Sequence, residues 1–407
     1  MRLAVNFQRL DPTRGGAETY VADLCRALVG AGHRVDLHAE SWRAGAVPEG
    51  LNCVPVAAHG RTKLARLWSF ARKSEEALRQ GSYDCTVGLI NTWHHDVIIP
   101  QGGIHRGSLE ANAARFPAGW QRAVYRLGKA ANPKYWVYEA IERRQYAAER
   151  AAKVVAVSNL VKEQLLHYCH VPRTRIHVIP NAIDPERIMV AHPGAVRCAF
   201  RNKMGLEPGD LVGLFVGHNY ELKGLRPLLT ALAERARRQP EARPIHLLVC
   251  GGGSARFARG LIDRLGLRAT VHVVGYYPDI RAAYWSSDFF VLPTYYDPCS
   301  LVVFEALACG LPVITTACNG ASELMTDGRE GYIITAPTAV GELVQALDHM
   351  ADDAVRRSMV PNASRLGQAQ TFDAHVAKLI KVFEEVAAAK SRRGPHIGKL
   401  ARRGVVH

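Results

Sequence analysis

The chain has 407 residues, of which 48% are hydrophobic and 22% charged. That composition excludes disorder over most of the length, and the length exceeds one typical core, so two domains of similar size are expected. Lys and Arg number 52 against 37 Asp and Glu, a net charge of +15, which points to an anionic partner: nucleic acid, an acidic membrane surface or a phosphorylated small molecule.

Along the chain, short β-branched runs alternate with amphipathic segments of helix length, the pattern of parallel sheets built from strand–helix–strand units. The opening Met1-Arg-Leu-Ala-Val-Asn-Phe goes straight into a strand pattern, without the apolar segment of a signal peptide. Strands are expected at 2–7, 34–39, 51–56, 83–90 and 153–157. A second set is expected at 211–216, 245–250, 270–274, 288–292 and 312–316. The fold class is therefore α/β, with two Rossmann-like domains over 1–185 and 186–370. Residues 182–208, holding Pro185, Pro193 and Pro208, read as the linker. A last helix over 371–389 is expected to pack back toward the first domain, and the basic, glycine-containing tail 390–407 is expected to be disordered.

The longest apolar stretch, 301–318, is interrupted by Glu305, Gly310 and Pro312. It reads as helix, turn and strand, because a membrane span needs about 20 uninterrupted apolar residues. Nine cysteines are scattered without a C-x-x-C pair, which suggests neither a disulfide framework nor a zinc site. A reduced cytoplasmic compartment is the expected location.

In open α/β sheets, ligands bind beyond the carboxyl ends of the strands, so two facing domains make a cleft there. Candidate residues should follow strands. After the first strand come Gly15 and Gly16 at a helix start, where bare amides and the helix dipole can hold an anion. A tight turn would use the same glycines. No G-x-G-x-x-G fingerprint is present, and Asp36 alone is weak support for a nicotinamide site. In the second half, Gly217-His218 leads to Lys223-Gly224, a lysine well placed to neutralise a phosphate; a surface lysine is the plain alternative. Cys250-Gly-Gly-Gly253 is a third glycine-rich strand end.

The most informative block runs from Asp297 through Ser300, Leu301, Val302 and Glu305 to Gly310. Asp297 precedes a helix N-terminus that can hold a phosphate. Glu305 stands eight residues on, inside an apolar helix, where it is costly unless it meets a polar ligand such as vicinal ribose hydroxyls.

This block resembles the E-x7-E region of the retaining nucleotide-sugar glycosyltransferases of family four, which have the GT-B fold of two Rossmann-like domains facing across a cleft. Gly15-Gly16-Ala-Glu18, Ala156-Val-Ser-Asn, Val178-Ile-Pro-Asn181, the Gly217–Gly224 loop and Gly320-Ala-Ser-Glu323-Leu are similar to further motifs of that family. The resemblance covers nearly the whole chain. It implies that Lys223 binds the donor diphosphate with amides at Gly16, Leu301 and Val302, and that Glu305 takes the ribose hydroxyls. Tyr276 and Tyr277 would flank the base, Asp297 and Ser300 would hold sugar hydroxyls, and His105 would lie near the reacting sugar. Two departures stand out. Asp297 replaces the usual first Glu, and His218 replaces the usual Arg beside the diphosphate.

The resemblance further implies a retaining hexose transfer from a nucleoside-diphosphate sugar, UDP-glucose first, to a lipopolysaccharide core or another membrane-associated glycan. A polyprenyl-linked or small-molecule acceptor is the alternative within the family. No D-x-D motif is present, so metal-independent chemistry without a cofactor is expected. Residues 105–150 mix Arg and Lys with Trp and Tyr, which suits peripheral contact with an anionic membrane. Nucleic acid would use similar residues but would leave the cleft unexplained. Two further classes compete: a nucleotide-sugar epimerase of similar shape, with extra acid–base carboxylates, and a non-enzymatic basic scaffold.

Overall fold

The structure, a computed structural model, describes residues 1–147 and 153–393. Two all-parallel sheets carry the chain. The first has strands in the order Asn52–Pro55, Arg34–Ala39, Arg2–Asn6, Cys85–Gly88, Val97–Ile98, Lys153–Ala156 and Ile176–Val178. The second runs Val271–Gly275, Ile245–Cys250, Leu211–Val216, Phe289–Leu292, Val313–Thr316 and Gly331–Ile334. Every strand expected from the sequence lies in one of them. Val97–Ile98, Ile176–Val178 and Gly331–Ile334 are additions, each only two to four residues long. Central strands such as Leu211–Val216 are buried along nearly their whole length, as parallel strands covered on both faces must be.

Strand order reverses beside Arg2–Asn6 in the first sheet and beside Leu211–Val216 in the second. The loops leaving these strands and their neighbours Cys85–Gly88 and Phe289–Leu292 therefore open into crevices at the carboxyl ends.

The expected linker is more ordered than its prolines suggest. It holds a 3-10 turn, Pro185–Ile188, and the helix Pro193–Met204, where Pro193 takes the first helical position and costs no hydrogen bond. The last helix is Phe372–Arg393. It continues past the expected end at 389, so the start of the basic tail is helical; residues 394–407 lie outside the described residues. Its His375 donates from Nδ1 to the carbonyl of Pro180 (2.8 Å), which leaves Nε2 to accept from the Tyr20 hydroxyl (2.8 Å). Burial pushes the His375 imidazole down to about 4, which keeps it neutral in that relay. Near the far end, Lys390 bonds Asp96 and the carbonyl of Tyr83.

The helix Leu301–Ala308 is held from behind by backbone-to-backbone packing. It closes with Gly310 in the left-handed region (φ 74°) and a bond from Leu311 N–H to the Ala306 carbonyl (3.0 Å), a Schellman stop. On the helix Asp353–Ala369, a side-chain carbon at Gly367 would come within 2.1 Å of the Ala308 amide nitrogen. Gly367→Ala should therefore destabilise the fold by about 1–3 kcal/mol through overpacking and shift the Leu301–Ala308 helix. A denaturant midpoint equal to that of the wild type would refute this account of the helix's placement.

Candidate functional site

The strand Leu211–Val216 ends at Gly217, and the following turn places Lys223. Its amide bonds the Asn219 carbonyl (2.8 Å), and Gly224 completes the turn at φ 81°. Any side chain at Gly224 would strike the Pro293 carbonyl at 1.8 Å, so the loops leaving the two central strands are pressed together. The Leu222 carbonyl accepts from Tyr295 N–H (2.9 Å) and from the Thr294 hydroxyl (3.2 Å). Locked in this way, the Lys223 ammonium meets the Asp297 carboxylate in an ion pair with short contact. Asp297 is itself held by backbone bonds to the Cys318 carbonyl (3.1 Å) and from Gly320 N–H (2.9 Å).

Asn319 ties this loop to the start of the next helix. Fully buried, it accepts at Oδ1 from the amides of Ser300 (3.3 Å) and Ala321 (3.1 Å) and donates to the Thr315 hydroxyl (3.0 Å). Ser300 occupies the N-cap position of Leu301–Ala308, but its hydroxyl makes no capping bond. The first helix amides, at Leu301 and Val302, thus point out uncapped. Opposite them stands the start of the helix Gly16–Gly30, with Gly15 at its N-cap and likewise no side-chain cap. The two starts nearly touch, since a side-chain carbon at Gly16 would lie 3.4 Å from the Leu301 side chain. Two uncapped helix N-termini and one lysine converge on one space, which is the electrostatic design of an anion site.

One turn on, Glu305 is half-buried and accepts from the Tyr284 hydroxyl (2.7 Å) at Oε2. Desolvation pushes its carboxyl above the ordinary range, against the opposing pull of the Tyr284 bond and of Arg187. Oε1 remains available to a ligand hydroxyl. Arg187 donates to both oxygens of Asp23 (2.7 and 2.6 Å) on the Gly16–Gly30 helix, tying the two halves together next to Glu305. His218 is exposed, with Nδ1 accepting from Gly252 N–H (3.3 Å). Tyr276 stands 62% exposed just past the strand Val271–Gly275, whereas Tyr277 packs edge-on against Phe200.

On the other wall, Tyr296 accepts from Ile104 N–H (3.1 Å) and donates to Gln164 (2.7 Å). Gly103, at φ 71°, leaves room for that hydroxyl, which a side-chain carbon would meet at 2.0 Å. Asn181 bonds both Gln101 (2.9 Å) and the Cys299 carbonyl (3.0 Å). Glu323 accepts from the amides of Asn159 and Leu160 (both 2.7 Å), capping the helix Asn159–Cys169 from the opposite half.

Lys223, Asp297, Ser300, Leu301, Val302, Gly15 and Gly16 therefore share one neighbourhood, with Glu305 a turn away. His105 stands on the first half, beside Asn91, Gly102 and Gly103. Its ring lies against Tyr135 and Tyr138, at centroid distances of 5.1 and 5.6 Å, and burial lowers its pKa, so it is a neutral imidazole. Its amide donates to Glu142 (2.9 Å). Glu142, with Tyr284, Tyr296 and Asn319, does not stand out in the sequence: in Ile-Glu-Arg-Arg it reads as an ordinary solvated charge. Among the described residues, no three of His, Cys, Asp and Glu gather as a metal site.

Residues 14–187 match the family model for Glycosyltransferase Family 4, and residues 210–353 match that for Glycosyl transferases group 1. A Burkholderia thailandensis protein named as a probable transglycosylase is 30% identical over 395 residues, 93% of this chain and 96% of that one. The chain belongs to the family 4 glycosyltransferases. This glycosyltransferase is also similar to the lipopolysaccharide glucosyltransferase WaaG of Escherichia coli (strain K12), 24% identical over 360 residues, covering 88% of this chain and 91% of WaaG. The crystal structure of WaaG superposes with a TM-score of 0.77 at 22% identity, over 94% of this chain and 99% of the other. Anabaena HepE in complex with UDP and glucose superposes at 0.67 and 18%, over 95% and 99%. These likenesses establish the GT-B fold expected from the sequence.

Desolvation raises Glu142 to about 7, partly offset by the His105 amide. A carboxyl whose folded value exceeds its unfolded value binds protons more tightly when folded, so stability is full below the unfolded value and falls as pH rises through 7. Between pH 5 and 8 the loss should reach at most about 3 kcal/mol. Glu142→Gln, which can still accept from His105 N–H, should flatten that dependence in urea unfolding at the two pH values; an unchanged slope would refute it.

Proposed function

We propose that this glycosyltransferase moves a hexose, glucose first, from a UDP-linked sugar to a lipopolysaccharide core or similar membrane-associated glycan, with retention and without metal. The observation that carries the reading is Lys223 on the same side as the uncapped start of Leu301–Ala308, with the uncapped start of Gly16–Gly30 opposite. A departing nucleoside diphosphate gathers negative charge on its terminal phosphate. Fixed amides at Gly16, Leu301 and Val302, together with the Lys223 ammonium, would stabilise that charge without reorganising at the moment of transfer. His218 lies within the same loop as Lys223. Asp297 would keep the ammonium aimed at the diphosphate and, with Ser300, present acceptors to sugar hydroxyls. Glu305 would take the ribose hydroxyls with Tyr276 beside the base, and His105 would border the acceptor side. In this reading residues 1–185 bind acceptor and residues 186–370 bind donor.

The membrane part of the proposal rests on the helix Gly119–Ala130. Trp120, Val124 and Leu127 are 69%, 60% and 69% exposed, and at about 100° per residue they form one apolar stripe. Arg122, Arg126 and Lys129 share the helix, and Trp136 is exposed on the next one. Such a face suits an interfacial helix on an anionic leaflet. No described helix is long and apolar enough to cross a membrane, so contact would be peripheral, on the cytoplasmic side. WaaG, by its name a lipopolysaccharide glucosyltransferase, is in keeping with that acceptor class.

Two measurements test these readings. In a thermal-shift panel with EDTA, UDP at 100 times its dissociation constant should stabilise the wild type by about 2.7 kcal/mol, and Lys223→Ala should abolish the response. A response to ADP or GDP alone would overturn the uridine assignment, and none to any diphosphate would overturn donor binding. In vesicle sedimentation, Trp120→Ala/Leu127→Ala should cut binding to phosphatidylglycerol vesicles at least tenfold, and salt should weaken it. Equal binding to neutral vesicles would refute the anionic surface.

A further inference from the structure

The charge of the second half is unevenly spread. Residues 225–268 carry nine arginines and no lysine against three acids, whereas residues 271–365 carry five arginines against eleven acids. The excess lies largely on two helices packed side by side, Leu225–Arg238 and Ala255–Leu265. Their inner faces are apolar: Leu228, Leu229 and Leu232 on the first and Ala258, Leu261 and Ile262 on the second are buried. At about 100° per residue, Arg226 and Arg237 lie within about 20° of each other on the outer side of the first helix, and Arg256 and Arg259 within about 60° on the outer side of the second. All four are exposed, and none forms an ion pair among the described residues. Arg226 reaches toward the second helix, its guanidinium 5.2 Å from the centre of the Phe257 ring. The two helices thus present one arginine surface. A cluster of one sign costs stability through self-repulsion and concentrates anions beside it.

The place of this surface in the fold indicates its partner. The helix Leu225–Arg238 starts directly after Gly224, at the turn that carries Lys223. Just before that turn Glu221 pairs with Arg115 of the other half (2.9 Å), and Arg115 in turn stands just before the helix Gly119–Ala130. The arginine surface and the helix that exposes Trp120 and Leu127 therefore begin at one bridge across the cleft, one on each side of it.

We propose that the second half carries its own seat for an anionic leaflet, in which Arg226, Arg237, Arg256 and Arg259 bond lipid phosphates while the helix Gly119–Ala130 inserts its apolar stripe from the first half. The proposal goes beyond the peripheral contact of the first half and rests on that reading for the nature of the surface. A guanidinium fork suits phosphate oxygens two at a time. No large hydrophobic side chain of residues 225–268 is exposed, so this face meets headgroups without inserting. Single-stranded nucleic acid is gripped by stacked aromatic rings as well as by charge, and the face offers none.

The test measures sedimentation of the full chain with vesicles of phosphatidylcholine and phosphatidylglycerol at low salt. A basic residue beside an anionic surface is worth about fivefold in affinity, so Arg226→Gln/Arg256→Gln/Arg259→Gln should weaken binding at least about tenfold, and Arg226→Lys/Arg256→Lys/Arg259→Lys should stay within about threefold of the wild type. Arg329→Gln/Arg357→Gln/Arg365→Gln removes as much charge from the acid-rich part of the second half. It should change binding by less than about twofold, because the surface potential is screened within about 10 Å. A cooperative thermal transition reports that each variant is folded. Wild-type affinity in the first glutamine variant overturns the proposal, and so does an equal loss in the other glutamine variant, which would make net charge the cause. A first glutamine variant that loses affinity for oligothymidylate but keeps its affinity for vesicles assigns the surface to nucleic acid and also overturns it. If Trp120→Ala/Leu127→Ala abolishes vesicle binding and the first glutamine variant does not weaken it, the first-half contact stands and this seat falls. If only the glutamine variant loses binding, the seat stands and the first-half contact falls. A wild type that does not bind these vesicles overturns both.

Discussion

The Lys223–Asp297 ion pair is the interaction around which the donor side is arranged. A half-buried pair gains little net stability, because desolvation offsets most of the Coulomb attraction. Its cost is explained if a cation must stand at the carboxyl end of the sheet before a ligand arrives. The surrounding bonds serve that purpose. Tyr295 and Thr294 hold the Leu222 carbonyl, and Gly224 admits the Pro293 carbonyl where no other residue fits. Together they fix the separation of the two loops, and with it the reach of one short acid to one long base.

That arrangement would be half a site without the first sheet. The start of the Gly16–Gly30 helix reaches Leu301, and four further links hold the halves in register: Arg187 to Asp23, Asn181 to Cys299, Tyr296 to Ile104, and Glu323 to the start of the helix Asn159–Cys169. Each bonds a backbone group or a charged partner, and each sits beside the cleft. An opening motion of the two halves would have to break these bonds, so the structure has the character of a closed form in which amides from both sides can meet one anion.

Much of this was legible in the residues. Runs such as Leu-Val-Gly-Leu-Phe-Val over 211–216 could hardly be anything but a buried parallel strand, and Gly-Gly, Lys-Gly and Asp297…Glu305 fell at strand ends where the fold puts ligands. What escaped detection depends on distance. Glu323 stood in a visible motif, but its partner, the start of a helix 164 residues away, did not show, and Asn319 binds through its side chain to a loop whose path the sequence does not give. Glu142 looked like one more charge in a basic helix, and only tertiary burial makes its carboxyl unusual. The surroundings of His105 were equally hidden. Its position in a Gly-Gly-Ile-His loop suggested the reacting centre, but not that the loop turns at Gly103 around Tyr296 and carries the ring toward Tyr135 and Tyr138.

The two carboxylates at 297 and 305 are held in different ways. Backbone bonds to the Cys318 carbonyl and from Gly320 N–H hold position 297 on both sides. The shorter acid reaches the ammonium directly. Glu305 rises from a helix whose start is uncapped and whose end is locked at Gly310, and it accepts from the Tyr284 hydroxyl. One carboxylate thus meets a fixed ammonium, and the other meets the hydroxyl of a tyrosine buried in the core. Asp297 holds a cation in place, whereas Glu305 keeps one oxygen outside its bond to Tyr284.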